Sequence, residues 1–366
     1  MAEQLKDMYN EGFLRDFGKK VNNVYSDFKV ESFIDKTIDD EWEDLPLKAR
    51  MRRITESLGQ CLPASYEDAL KVLFLIDESC VGFPYLFFPD FVELYGQEDE
   101  HWDISMKAIE RFTQRSSSEF AIRPFIIKDP ERVMEQMMVW ANHHNEHVRR
   151  LASEGCRPRL PWGISLQIFK KDPSKVLHIL EQLKSDSSLY VRKSVGNNLN
   201  DISKDNPQAV IDFVNKWSNK DPYTDWILRK GCRSLIKAAN PEVMELFGYT
   251  NFEGKKLEIT GASISATPSM IKIGEGCEFK YELDIPKGEV AHIRIEYGID
   301  FVKARGNTSR KLFLISDKTV SGGTHISGSK MHNFADLTTR RHYPGKHQVT
   351  LLVNGQRKAD TMLEII

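Results

Sequence analysis

The sequence predicts an all-α solenoid of two-helix repeats followed by an all-β sandwich. Three observations predict it. Up to about residue 250, apolar residues recur at intervals of three and four, as in Val133, Met134, Met137, Met138 and Ala141, which sets them on one stripe of a helix. Within that stretch one helix-starting pattern returns several times. Beyond Gly254 the texture changes to short β-rich runs cut by turn residues.

The recurring pattern is Asp129-Pro130-Glu131-Arg132-Val133, Asp172-Pro173-Ser174-Lys175-Val176, Asn206-Pro207-Gln208-Ala209-Val210 and Asn240-Pro241-Glu242-Val243. Each copy joins a capping Asx, a proline at the first helical position and an apolar residue in the first turn. A second helix follows the first two copies, with Val148-Arg149-Arg150 and Val191-Arg192-Lys193 at matching distance, and Ile227-Leu228-Arg229-Lys230 is a displaced third copy. Helix pairs returning in this way are repeats of HEAT type. The copies start 43, 34 and 34 residues apart, and the nine-residue excess falls just after the second helix of the first copy. It reads Cys156-Arg157-Pro158-Arg159-Leu160-Pro161-Trp162-Gly163. Repeat proteins place such insertions on one face, often the binding face.

The β-rich runs include Phe279 to Leu283, His292 to Tyr297 and Gln348 to Val353, with turn signals at Pro286-Lys287-Gly288, Gly322-Gly323, Pro344-Gly345 and Asn354-Gly355. About seven short strands in this length predict an antiparallel, immunoglobulin-like sandwich. Cys277 is its lone cysteine, so the inter-sheet disulfide is not expected. The expected domains are 1–254, the repeat solenoid, and 258–366, the sandwich.

The chain has 366 residues, 40% of them hydrophobic, enough to bury real cores and to exclude disorder. With 51 Lys+Arg against 53 Asp+Glu its formal charge is −2, so any argument for a nucleic acid or an anionic membrane has to be regional. The first residues lack a basic segment leading into an apolar one, and the greasiest runs, Val72 to Ile76 and Tyr85 to Phe88, are too short to span a bilayer. A soluble, cytoplasmic protein with no membrane partner is expected. Five cysteines, Cys61, Cys80, Cys156, Cys232 and Cys277, are widely spaced without a C-x-x-C pair and read as reduced and structural.

The regional argument lies in the second helices of the repeats. They carry Arg149, Arg150, Arg192, Lys193, Arg229, Lys230, Arg233 and Lys237, while the first helices are mixed in charge and acidic stretches at Asp35 to Asp44 and Glu93 to Asp103 cancel these cations in the total. Equivalent helices stack side by side, so the cations are expected to form a stripe fitted to the phosphates of a duplex. The competing reading is that arginines in such repeats cap helix ends or pair within the solenoid. Among the cations sit Glu119, Glu154 and Asp201, with Trp162 in the inserted loop. For Glu154 the structural alternative is an ion pair with Arg150 one turn back; for Asp201 it is a turn or cap, and for Trp162 a packed anchor. Other motifs are weak: His143, His144 and His147 straddle a turn without H-E-x-x-H, and Gly274-Glu275-Gly276 precedes no helix.

The residues from Leu5-Lys6-Asp7-Met8-Tyr9-Asn10, through Arg149-Arg150-Leu151-Ala152-Ser153-Glu154-Gly155-Cys156-Arg157-Pro158-Arg159-Leu160-Pro161-Trp162, to Thr338-Thr339-Arg340-Arg341-His342-Tyr343-Pro344-Gly345 resemble the HEAT-like-repeat DNA alkylation repair glycosylases, in the AlkC branch that carries a C-terminal immunoglobulin-like domain. The segment from Arg149 to Trp162 is the specific part. The resemblance implies a monofunctional DNA glycosylase, without lyase activity, that cleaves the N-glycosidic bond of cationic N-alkylated bases such as 3-methyladenine and 3-methylcytosine in duplex DNA. It implies action without base flipping, at the start of base excision repair, and Glu119, Glu154, Trp162 and Asp201 match positions around the lesion. No metal or organic cofactor and no obligate protein partner is expected. A non-catalytic repeat scaffold or damaged-DNA-binding protein is the alternative.

The expected DNA contacts are Arg149, Arg150, Arg157, Arg159, Arg192, Lys193, Arg229 and Lys230 from the repeats, and Lys330, Arg340 and Arg341 from the sandwich. Residues 258–366 hold 15 Lys+Arg against 12 Asp+Glu, a local +3 concentrated in the second half. On that ground the sandwich is expected to complete a clamp on the duplex, against the alternative of a stabilising appendage.

Overall fold

The computed structural model describes residues 5–249, 259–288, 290–337 and 340–366. Gly254, the expected boundary at 254–258 and Thr338-Thr339 lie outside the described residues. The chain forms two compact units, Met1–Gly231 and Cys232–Ile366. No described helix is long and apolar enough to cross a membrane.

The first unit is helical, and the repeat pattern places its helices. Asp129 caps the helix Pro130–Ala141 by accepting from the Arg132 amide at 3.1 Å. Asn206 precedes Pro207–Trp217 with proline at the first position, but its side-chain amide donates instead to the Lys170 carbonyl at 2.8 Å. At the second copy the helix starts one residue late, at Ser174–Gln182, with Pro173 as the capping residue. Asp172 still accepts from the Ser174 amide at 2.9 Å, so the start signal is shifted rather than lost. The second helices are Glu146–Gly155, Leu189–Ile202 and Pro222–Gly231. Val133, Met137, Trp140, Val148, Leu151, Val176, Leu180, Val191, Leu199, Val210 and Ile227 are fully buried between first and second helices. Close approach requires glycine in places: a Cβ on Gly231 would stand 2.7 Å from the Leu199 Cβ.

The second unit begins earlier than expected. The helices Arg233–Lys237 and Pro241–Leu246, the latter capped by Asn240, belong to it. Specific contacts explain this: the Tyr249 hydroxyl donates to Asp317 at 2.8 Å, Asn354 Nδ2 donates to the Tyr249 carbonyl at 2.6 Å, and Lys237 Nζ donates to the Leu312 carbonyl at 3.3 Å. The fourth helix-starting pattern therefore serves the sandwich and not the solenoid.

The sandwich has eight strands among the described residues: β1 (Thr260–Thr267), β2 (Met270–Ile271), β3 (Gly276–Asp284), β4 (Ala291–Val302), β5 (Thr308–Val320), β6 (His325–Asn333), β7 (Gly345–Val353) and β8 (Gln356–Ile365). They form sheets of order β1-β3-β6 and β2-β8-β7-β4-β5. The strand beyond the expected seven is the two-residue β2, parallel to β8. Asn354 and Gly355 join β7 to β8 with φ of 47° and 75°, the left-handed pair that a two-residue hairpin needs. Alternating residues such as Phe279 and Leu283 of one sheet and Ile295, Ile299, Val349 and Leu351 of the other fill the core. His332, His342 and His347 join it, with ring centroids 6.1, 5.4 and 6.1 Å from that of Phe301. Among the described residues, His332 Nε2, both ring nitrogens of His342 and His347 Nε2 are buried without hydrogen-bond partners. Burial holds His332 down at about 4 and lowers His342 and His347 as well.

Candidate active site

Five segments of the first unit converge on one cavity of about 630 Å³. Glu119 stands in the turn before the helix Ile122–Lys128, Arg150 and Glu154 occupy the helix Glu146–Gly155, and Arg157 and Trp162 come from the inserted loop. Tyr190 completes this wall from the first turn of Leu189–Ile202. Arg150 and Glu154 share a helix face because they are four apart. Val81, Phe83, Leu86, Phe120 and Leu160 supply an apolar side.

The polar side is a chain of alternating charges. Arg150 Nη2 lies 2.5 Å from Glu119 Oε2 and 3.7 Å from Glu154 Oε1. Arg157 donates to Glu154 at 2.6 Å through Nη1 and reaches Asp201 at 2.7 Å through Nη2. Lys204 closes the series on Asp201 at 2.8 Å. Ser117 ties the first link together, accepting from Arg150 at 2.9 Å and donating to Glu119 at 2.9 Å. Glu154, Arg157 and Asp201 are 6%, 6% and 2% exposed. Each charge thus meets an opposite one at close range, which buried ions require.

Trp162 differs from all of these. Its indole is 62% exposed, and its backbone has a φ of 64°, in the left-handed region that a bulky side chain rarely adopts. Beneath the loop, the fully buried Arg123 donates to the Ile164 carbonyl at 2.6 Å and to the Gly155 carbonyl at 2.8 Å. Burial pushes its guanidinium down to about 10, which leaves it a cation at neutral pH.

A family profile described as "DNA alkylation repair enzyme" matches residues 96–235, and one described as "Uncharacterised protein YhaZ, C-terminal Ig-like domain" matches residues 260–366. The uncharacterized protein YhaZ of Bacillus subtilis (strain 168) is 44% identical over 354 residues, 97% of each chain. The chain belongs to the DNA alkylation repair enzyme family. Within that family it matches the structure of the Pseudomonas fluorescens alkylpurine DNA glycosylase AlkC bound to DNA containing an abasic site analog, with 37% identity, full coverage of both chains and a TM-score of 0.93. The fold is AlkC-like from the helical unit through the immunoglobulin-like domain.

On this alkylation-repair fold, Glu119, Glu154 and Trp162 line the cavity, whereas Asp201 sits behind it and meets it through Arg157. The expected open stripe of cations is largely closed. Arg149 is committed to Asp186 at 2.6 Å and to the carbonyls of His143 and His144, and Arg192 to the carbonyls of Asp186 and Ser187. Arg150 and Arg157 belong to the charge chain, and Arg159 pairs with Asp205 at 2.6 Å. Each of these five guanidiniums lies within reach of a carbonyl or carboxylate of its own or a neighbouring segment, the cap-and-pair geometry of the competing reading. Lys193 is exposed; Arg229 and Lys230 are half-buried, with Lys230 5.6 Å from the Trp226 ring centroid. In the other unit Lys330 and Arg341 are exposed, while Arg340 lies 5.0 Å from the Phe301 ring centroid.

Sequence reasoning missed Tyr190, which lies under the Arg150 guanidinium at 4.9 Å from its ring centroid. A signal existed. Asn145, Ser188 and Asp221 each accept from the amide two residues on, so His147, Tyr190 and Tyr223 occupy one equivalent position in successive repeats. Arg192 lies over Tyr223 at 3.9 Å in the same manner.

Proposed function

We propose that this protein is a monofunctional DNA glycosylase that hydrolyses the N-glycosidic bond of cationic N-alkylated bases, 3-methyladenine and 3-methylcytosine among them, in duplex DNA and so opens base excision repair. The observation that carries the proposal is the placement of Glu119 and Glu154 on the cavity wall beside an exposed indole, in a chain whose fold matches a DNA-bound alkylpurine glycosylase.

A purine methylated at N3 already carries positive charge, so it departs without a proton from an enzyme acid. The demand that remains is an oxocarbenium-like sugar and an attacking water. Carboxylates near C1′ meet both, through Coulomb attraction and by accepting the proton of water. The Trp162 π face adds attraction for the cationic sugar or base. Asp201 acts at one remove, by fixing Arg157 and through it Glu154. The acids on the wall favour an activated water as nucleophile and hydrolysis without strand cleavage; Lys48, an ammonium at the wall, is engaged by the Trp162 carbonyl and the Phe120 ring. The exposed indole favours access to a lesion left in the duplex over extrusion into a deep pocket.

The test is single-turnover release of free base from methylated duplex. Glu119→Gln and Glu154→Gln should each slow release by about 10² or more while duplex affinity stays close to wild type. Wild-type rates in both variants would remove the acids from the mechanism. Tight binding by the unaltered protein without any release would make it a damaged-DNA-binding protein instead.

A further inference from the structure

The strained backbone at Trp162 has to be held, and the holding group comes from far away in the chain. Lys48 is at the second position of the helix Leu47–Cys61, and its Nζ donates to the Trp162 carbonyl at 3.0 Å. The same ammonium lies 4.6 Å from the ring centroid of Phe120, the residue beside Glu119. Other bonds grip the inserted loop near its base: the Leu166 amide to the Pro158 carbonyl at 3.1 Å, Arg159 to Asp205, and Arg123 to the Ile164 carbonyl. Lys48 grips the tip, where φ is 64°. Left-handed conformations of bulky residues persist when their surroundings over-determine them. An ammonium suits this post, since it has three donors and no acceptor to satisfy.

We propose that Lys48 is a positioning residue that holds the Trp162 loop and the Glu119-Phe120 turn at a fixed separation across the cavity, through one ammonium bonded to the Trp162 carbonyl and seated on the Phe120 ring. It acts through the indole and the acid and is not itself catalytic. The proposal rests on the glycosylase reading for its consequence, because placement errors of about 1 Å cost rate steeply.

The experiment compares the full-length protein with Lys48→Met, which keeps the side chain's reach but removes donor and charge. Single-turnover release of 3-methyladenine should fall by roughly tenfold, and Lys48→Arg should recover most of it. Affinity for undamaged duplex and the slope of log affinity against log salt should not change. A slope shallower by about one unit would make Lys48 a phosphate contact and overturn the proposal. So would wild-type release by Lys48→Met. Fluorine NMR of protein labelled with 5-fluorotryptophan gives a readout independent of activity: of the six tryptophan signals, the one lost in Trp162→Phe should shift or broaden in Lys48→Met. An unchanged Trp162 signal overturns the proposal. If the unaltered protein releases no base, the glycosylase reading fails, while the fluorine signal still decides whether Lys48 holds Trp162.

Discussion

Glu154, Arg157 and Asp201 in the helical unit are as deeply buried as His332, His342 and His347 in the sandwich. The two groups are nevertheless treated in opposite ways. In the helical unit Glu154, Arg157 and Asp201 each have an opposite charge at hydrogen-bond distance, and the series ends on an open cavity. In the sandwich the histidines pack against Phe301 and Phe334, and burial lowers all three so that they stay neutral. A site that lines an open cavity with carboxylates keeps its charges and balances them. A core that only has to hold its sheets together does better with polar groups that carry none.

The sharpest way to break this contrast is Arg157→Met. It leaves Glu154 and Asp201 without the guanidinium they share, and stability should fall by about 3–5 kcal/mol, read as a lower urea midpoint. By comparison Arg341→Ala, at an exposed position, should stay within about 0.5 kcal/mol. Equal effects would show that the charge chain is no more than surface pairing.

A smaller effect tests the histidines. The folded pKa of His332, about 4, lies below its ordinary 6.5, so between these values the unfolded chain binds the extra proton. Stability should therefore be level above pH 6.5 and decline as the pH falls toward 4, by an amount of the order of 2 kcal/mol. His332→Phe should flatten that decline, as followed by melting at successive pH values. A wild-type profile already flat over this window would mean that the histidines are not held neutral by burial.

The smallest effect separates two neighbouring cations. Lys193→Ala should make the salt dependence of duplex binding shallower by about one unit, whereas Arg192→Ala, which removes bonds to the Asp186 and Ser187 carbonyls, should lower Tm and leave the slope alone. The reverse result would restore an open phosphate stripe along the second helices.

Local rules made the architecture legible. Asx-Pro starts gave the repeat helices, and Asn354-Gly355 marked a hairpin, because capping and left-handed turns are properties of two or three adjacent residues. Glu154 and Trp162 stand inside the Arg149 to Trp162 segment that carries the resemblance, and the structure brings them together with Glu119 at one cavity. Partner choice was not legible. Whether Arg149 faces solvent or Asp186 depends on a contact between residues 37 apart, and the link from Lys48 to Trp162 spans 114. The helices Arg233–Lys237 and Pro241–Leu246 looked like solenoid by the same local rules, and what groups them with the strands are contacts such as Lys237 to β5 and Tyr249, just past the second helix, to β5 and the β7–β8 turn.

The cysteines have a consequence of a different kind. All five are free, four are buried, and burial raises every one of the thiols, Cys156 and Cys232 to about 12. Electrophiles react with the thiolate, and at neutral pH a thiol so raised is ionised in only about one molecule in 10⁵. Conditions that alkylate DNA also alkylate proteins, at whatever nucleophile is most exposed and most ionised. None of this chain's five thiols combines full exposure with a lowered pKa, so an alkylating agent meets no preferred cysteine in it.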